Sequence, residues 1–88
     1  GGRVGWKGAS GDGRVLSLSG KGCLIRSPEA ILLGQKSERE LRLPRAEPIA
    51  LEAEATYQLL PDTGLVFHAL EARSREALER FVTQTILG

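Results

Sequence analysis

The chain has 88 residues, a formal net charge of +1, one cysteine, one histidine and no methionine. That length supports one domain with a modest core, while Cys23 and His68 alone exclude a disulfide within the chain and fall short of a metal-ligand set. The charge is uneven, with nine Lys/Arg against five Asp/Glu in residues 1–48 and three against six in 49–88, so the dense basic face of a general DNA binder is missing. No run approaches the roughly 18 apolar residues of a membrane span and no secretion signal is present, so a cytoplasmic domain is expected. The Gly1-Gly2 start and the lack of methionine lead us to expect a fragment of a longer protein.

Residues 3–7 read as a short strand ending at Gly8, with Trp6 over an edge of the core or lining a pocket. Ser10-Gly11-Asp12-Gly13 is a turn signal, Asp-Gly being a favoured hairpin pair. From Gly13 to Arg26, the apolar runs Val15/Leu16/Leu18 and Cys23/Leu24/Ile25 flank Ser19-Gly20-Lys21-Gly22. The stretch reads as a strand over 14–19, a glycine turn and a strand over 21–26. Pro28 stops the second strand because it lacks an amide donor and restrains its neighbour.

Ser27–Gly34 supports two readings. Ser27 caps a single helical turn with Pro28 in first position, or the segment is an irregular crossover; both bury Ile31, Leu32 and Leu33. Residues 37–43 form a strand with Leu41 and Leu43 on one face and Arg42 on the other, closed by Pro44.

Residues 49–59 carry the cleanest alternation. Ile49, Leu51, Ala53, Ala55, Tyr57 and Leu59 face one way, and Ala50, Glu52, Glu54, Thr56, Gln58 and Leu60 the other. Pro61-Asp62-Thr63-Gly64 is a turn, and 65–70 return antiparallel with Leu65, Phe67 and Ala69 inward and Val66, His68 and Leu70 outward. Apolar residues on both faces require a cover, which the last segment supplies. Ser74 caps a helix over 74–87 whose stripe is Leu78, Phe81, Val82, Thr85 and Ile86, with Glu76 and Arg80 four apart. So short a helix must dock to be stable. Five or six short antiparallel strands and one terminal helix make an all-β domain, closed or nearly closed as a barrel, which removes its edges. The helix lies across the barrel mouth or along its wall.

Catalysis finds little support, since no HExxH, nucleophile elbow or P-loop is present. His68 reads as a hydrogen-bonded structural histidine, Cys23 as a small buried hydrophobe, and Glu52 and Glu54 have no reason for the raised pKa of a general acid. Arg3, Lys7, Arg14, Lys21 and Arg26 form a basic patch or ordinary solvated charges. In strict alternation Ser17 and Ser19 share a side, opposite Leu16 and Leu18. Two hydroxyls, glycine-exposed backbone and Lys21 suit an anionic or purine-bearing ligand. A polar outer face running into a turn accounts for the same residues.

The arrangement resembles a PilZ domain. The matching pieces are Ser17-x-Ser19-x-x-Gly22 for the family's Asp-x-Ser-x-x-Gly, then Cys23-Leu24-Ile25, Gly34 and Leu41-Arg42-Leu43-Pro44. Residues 49–60, Gly64-Leu65-Val66-Phe67 and Arg75 through Phe81-Val82 follow, so the resemblance spans nearly the whole chain. It implies a single domain over 1–88: a six-stranded antiparallel barrel with its strands in 3–70 and a C-terminal helix over 74–87. It also implies bacterial signalling by cyclic di-GMP, which members grip with an Arg-x-x-x-Arg before the barrel and with the Asp and Ser of the second motif. Guanidinium forks suit phosphates and the guanine O6/N7 edge, and a carboxylate accepts from the guanine N1 and N2 donors.

Two departures shape the expectation. Ser17 stands at the acidic position, and Arg3 and Lys7 are a substituted version of the arginine pair. Such losses cost on the order of several kcal/mol, about a thousandfold in affinity. The expected function is therefore a non-catalytic regulatory or protein-interaction module in bacterial signalling or motility, with weak or absent cyclic di-GMP binding. It takes no cofactor and no metal, and its partner is a protein or the remainder of a longer chain. Its contact surface is the barrel wall or the mouth around 14–22, with Trp6 as a candidate member. The alternative is a working cyclic di-GMP receptor using Arg3, Lys7, Ser17, Ser19, Lys21 and Gly22, with further basic residues upstream. An unrelated small barrel binding nucleic acid predicts exposed aromatics among basic residues, which this composition does not supply.

Overall fold

The computed structural model describes residues 4–8, 11–28 and 31–87, so Arg3, Ser10, Gly88 and positions 29–30 of the 27–34 segment lie outside the described residues. Six strands, β1 (Gly5–Lys7), β2 (Asp12–Leu18), β3 (Gly22–Arg26), β4 (Lys36–Arg42), β5 (Ile49–Leu59) and β6 (Asp62–His68), precede one helix, α1 (Ala72–Leu87). The strands close into an antiparallel barrel in the order β1-β2-β3-β6-β5-β4. β5 is the longest, and its alternation buries Ile49, Leu51, Ala53 and Ala55 inside while Glu52 and Glu54 stay only partly covered outside. Trp6, Ile25 and Leu41 fill the barrel, and Leu78 of α1 completes the same core with Ala77, Phe81 and Val82 packed around it. The helix thus closes one barrel end, beside the β2–β3 turn, the exit of β6 and the β4–β5 loop.

Several expectations are corrected. Trp6 is 1% exposed and belongs wholly to the core, so it takes no part in a contact surface. Asp12 and Gly13 are not a turn: they begin β2 and pair with Lys7 and Trp6. Of segment 27–34, Ile31 is buried as expected but Leu32 and Leu33 are exposed, and the helical turn opening at Pro28 falls on positions outside the described residues. Residues 31–35 run along β5, with Gly34 N donating to Ala55 O at 2.7 Å and the Gln58 Nε2 donating to Ile31 O at 2.9 Å. That path needs the left-handed φ of +82° at Gly34.

The turn between β5 and β6 is Leu60-Pro61, tighter than the Pro61–Gly64 expectation, because Asp62, Thr63 and Gly64 pair with Leu59, Gln58 and Tyr57. β6 ends at His68, and Ala69 then turns with φ +52°. Ala69 is therefore exposed and Leu70 packs on the core, the reverse of an uninterrupted alternation. The helix starts at Ala72, two residues before Ser74, which leaves Ser74 in the first turn; Arg75 N donates to Glu71 O at 2.8 Å. The side chains of Thr85 and Ile86 lie outside the described ones, and Glu76 and Arg80 form no ion pair within 4 Å.

At the barrel end away from the helix, Arg26 pairs with Asp62 (Nε–Oδ1 2.8 Å, Nη2–Oδ2 3.3 Å), which raises the guanidinium pKa through the hydrogen bond and the carboxylate charge. Arg42 reaches Asp12 at 3.8 Å. No helix among the described residues is long and apolar enough to cross a membrane.

Candidate functional site

Two irregularities in the ladders organise one stretch of the outer wall. The register of β2 against β3 shifts between Val15 and Ser17, and that of β5 against β6 between Ala55 and Tyr57. A bulge sets two residues opposite one, so the side chains beyond it change face. Val15 and Leu18 consequently point to the core, while Leu16 and Ser17 turn out. Strict alternation sets Leu16 with Leu18, opposite Ser17; the bulge instead puts Leu16 outside with Ser17. In β5 the same device turns Tyr57 outward at 48% exposure and leaves Leu59 exposed, though unbroken alternation places both inside.

The two bulges flank a single register row, Ser17–Leu24–Gly64–Tyr57, which crosses β2, β3, β6 and β5. The next row holds Gly22, Val66 and Glu54. A shallow hollow of about 340 Å³ lies over these rows, lined in part by Ser17, Ser19, Lys21, Gly22, Thr56 and Tyr57, while Glu54 turns to His68 instead. Among the described residues of its lining Lys21 is the only charged one, and none is a carboxylate.

Both glycines are required by close approach. A Cβ at Gly22 would run into the carbonyl oxygen of Leu65 on β6, and one at Gly64 into the ring of Tyr57. Thr56, the extra residue of the β5 bulge, donates its hydroxyl to Gly64 O at 3.4 Å.

Ser19 organises the turn. Its Oγ accepts from Lys21 N and Gly22 N, both at 3.2 Å, and donates to Gly22 O at 3.3 Å. A hydroxyl offers one donor and two acceptor sites, so all its capacity is used within the turn. Ser17, by contrast, makes no hydrogen bond with the described residues and presents a free hydroxyl to the hollow.

The structure brings Ser17, Ser19, Lys21 and Gly22 together. Lys7 stands apart: it pairs with Asp12 at the far end of β2, five residues and about 15 Å along the strand from Ser17. It lines a separate hollow with Gly8, Glu38, Arg39 and Glu40. Arg3 lies outside the described residues; Val4, the first described residue, accepts from Val15 N through its carbonyl at 3.1 Å. The basic patch divides, with Lys21 at the helix end and Arg26 tied to Asp62 at the other.

His68 Nε2 lies 2.8 Å from Glu54 Oε1, the structural pairing expected of a lone histidine on a strand. Cys23 is buried, and burial pushes its thiol up to about 12, so it behaves as a small hydrophobe. Among the described residues no group of three or more His, Cys, Asp and Glu could hold a metal.

Sequence reasoning missed Tyr57. The available signal was Gly64 on a strand, since such a glycine marks a bulge or a close neighbour. Reading it as a turn residue hid the ring that lies over it.

No curated protein matches the chain. A family model described as PilZ domain matches residues 4–84, nearly the full length. The six-stranded closed barrel and the terminal helix agree with that match, and the chain belongs to the PilZ domain family.

Proposed function

We propose that this chain is a PilZ-type regulatory module of a longer bacterial protein that acts through protein contacts rather than catalysis and binds cyclic di-GMP weakly. The observation that carries the reading is the chemistry of the hollow bordered by Ser17 and Tyr57, which contains one lysine and no carboxylate. Guanine N1 and N2 are donors and are held best by a charged acceptor. Ser17 is neutral and offers one oxygen, and the Ser19 hydroxyl is spent on the turn amides. Ligand binding here must break turn hydrogen bonds or rely on Lys21, backbone and neutral hydroxyls such as that of Ser17.

Contact through the wall has its own support. Leu32, Leu33, Leu59 and Leu60 are exposed, Leu60 at 85%, around the β5–β6 hairpin and the neighbouring 31–35 segment. Exposed leucines grouped in this way suit a docking surface.

Restoring the missing charge tests the reading. Ser17→Asp should strengthen cyclic di-GMP binding about tenfold or more, as a charge-assisted acceptor facing guanine donors does. Unchanged affinity in that variant, read by calorimetry, would remove the support taken from this corner.

A further inference from the structure

A further hollow, of about 730 Å³, lies against α1 where the β4–β5 loop meets the helix. Its floor is apolar: Leu43 is buried, and Pro44, Ala77 and Phe81 are half-buried around it. Its charged groups are Arg45 from the loop and Arg80 from the helix, with no carboxylate in the lining. Arg26 and Arg42 have acidic partners, but Arg45 and Arg80 make no ion pair or hydrogen bond with the described residues. Glu47 near Arg45, and Glu76 and Glu79 near Arg80, are the closest acidic residues in sequence, and none pairs with either arginine. Arg45 also holds a left-handed φ of +58°, a conformation unfavourable for a residue with a Cβ and retained where the surroundings impose it.

From this geometry we propose that the hollow between the β4–β5 loop and α1 docks an acidic segment of a partner protein, which inserts an apolar side chain between two carboxylate contacts. The apolar floor takes the anchor, and the two guanidinium forks meet carboxylates at the rim. Guanidinium suits this task because it binds carboxylates bidentately and is weakly hydrated. An anchor surrounded by a charged rim is the usual division of labour at such interfaces. The site shares no lining residue with the hollow bordered by Ser17 and Tyr57, so it stands or falls independently of cyclic di-GMP binding.

The probe is a fluorescein-labelled synthetic hexapeptide, Asp-Glu-Leu-Phe-Glu-Asp, titrated into the 88-residue chain and followed by anisotropy. Saturable binding is expected, weakened about tenfold by Arg80→Glu and by a similar factor when Leu-Phe in the peptide is replaced by Ser-Ser. Amide shifts in a 15N-labelled sample should centre on 43–46 and 77–84. Arg80 is exposed on the helix, so its reversal leaves the fold intact, which the spectrum of the free variant checks directly. Absence of saturable binding, indifference to Arg80→Glu, or shifts centred elsewhere would overturn the proposal. Equal competition by inorganic pyrophosphate and by the Ser-Ser peptide would also overturn it, in favour of a simple anion site.

Discussion

The ring of Tyr57 lies over the bare Cα of Gly64, its partner across the β5–β6 ladder, in the space a Cβ at Gly64 would take. The Thr56 bulge sends the ring there, and the glycine admits it. Gly64→Ala should therefore displace the ring and destabilise the domain by about 1 kcal/mol, as loss of a cross-strand aromatic contact does. In a Tyr57→Ala background the same change should be neutral or stabilising, because alanine in a strand restricts the unfolded chain. Urea unfolding of the four proteins reads the coupling, and an identical penalty in both backgrounds would refute the contact.

Ser19 and Ser17 sit two residues apart and differ in task. Ser19→Ala removes the acceptor for two turn amides and should cost about 1–2 kcal/mol. Ser17→Ala removes a hydroxyl without a partner and should stay within about 0.5 kcal/mol of the parent. Equal losses at the two positions, measured by thermal unfolding, would contradict the division.

Cys23 makes stability depend on pH in one window. Its folded pKa is pushed from 9.0 up to about 12 by burial, so the folded state keeps the thiol protonated where the unfolded chain has released the proton. This contribution is intact below pH 9 and is lost as the pH rises toward 12, with a limiting slope of about 1.4 kcal/mol per pH unit. Between pH 9 and 10.5 the parent should lose stability faster than Cys23→Ala, and below pH 8.5 the two should run parallel. Parallel curves throughout would mean that the thiol titrates alike in both states.

Much of the barrel was legible because its signals are local. The alternation of Ile49, Leu51, Ala53 and Ala55 fixes a half-buried strand, and Leu78, Phe81 and Val82 mark a docking helix. The errors begin where the ladder shifts. A bulge leaves no period of its own, so unbroken alternation groups Tyr57 with the inward residues of β5 and Leu16 with Leu18, although Tyr57 and Leu16 face out. Asp12-Gly13 carries strong turn chemistry, yet pairing with β1 overrides it. Of the candidate site, the corner from Ser17 to Gly22 could be read because it is contiguous. Tyr57 could not, since only the β3–β6 pairing carries it into the same row.

Calorimetric titration of the unmodified chain with cyclic di-GMP tests the central claim most directly. A neutral Ser17 and a turn-bound Ser19 predict heats too small to fit, or a dissociation constant well above about 10 μM. A constant of about 10 μM or tighter that weakens on Ser19→Ala would contradict that account, because it would show the corner gripping the dinucleotide without a carboxylate.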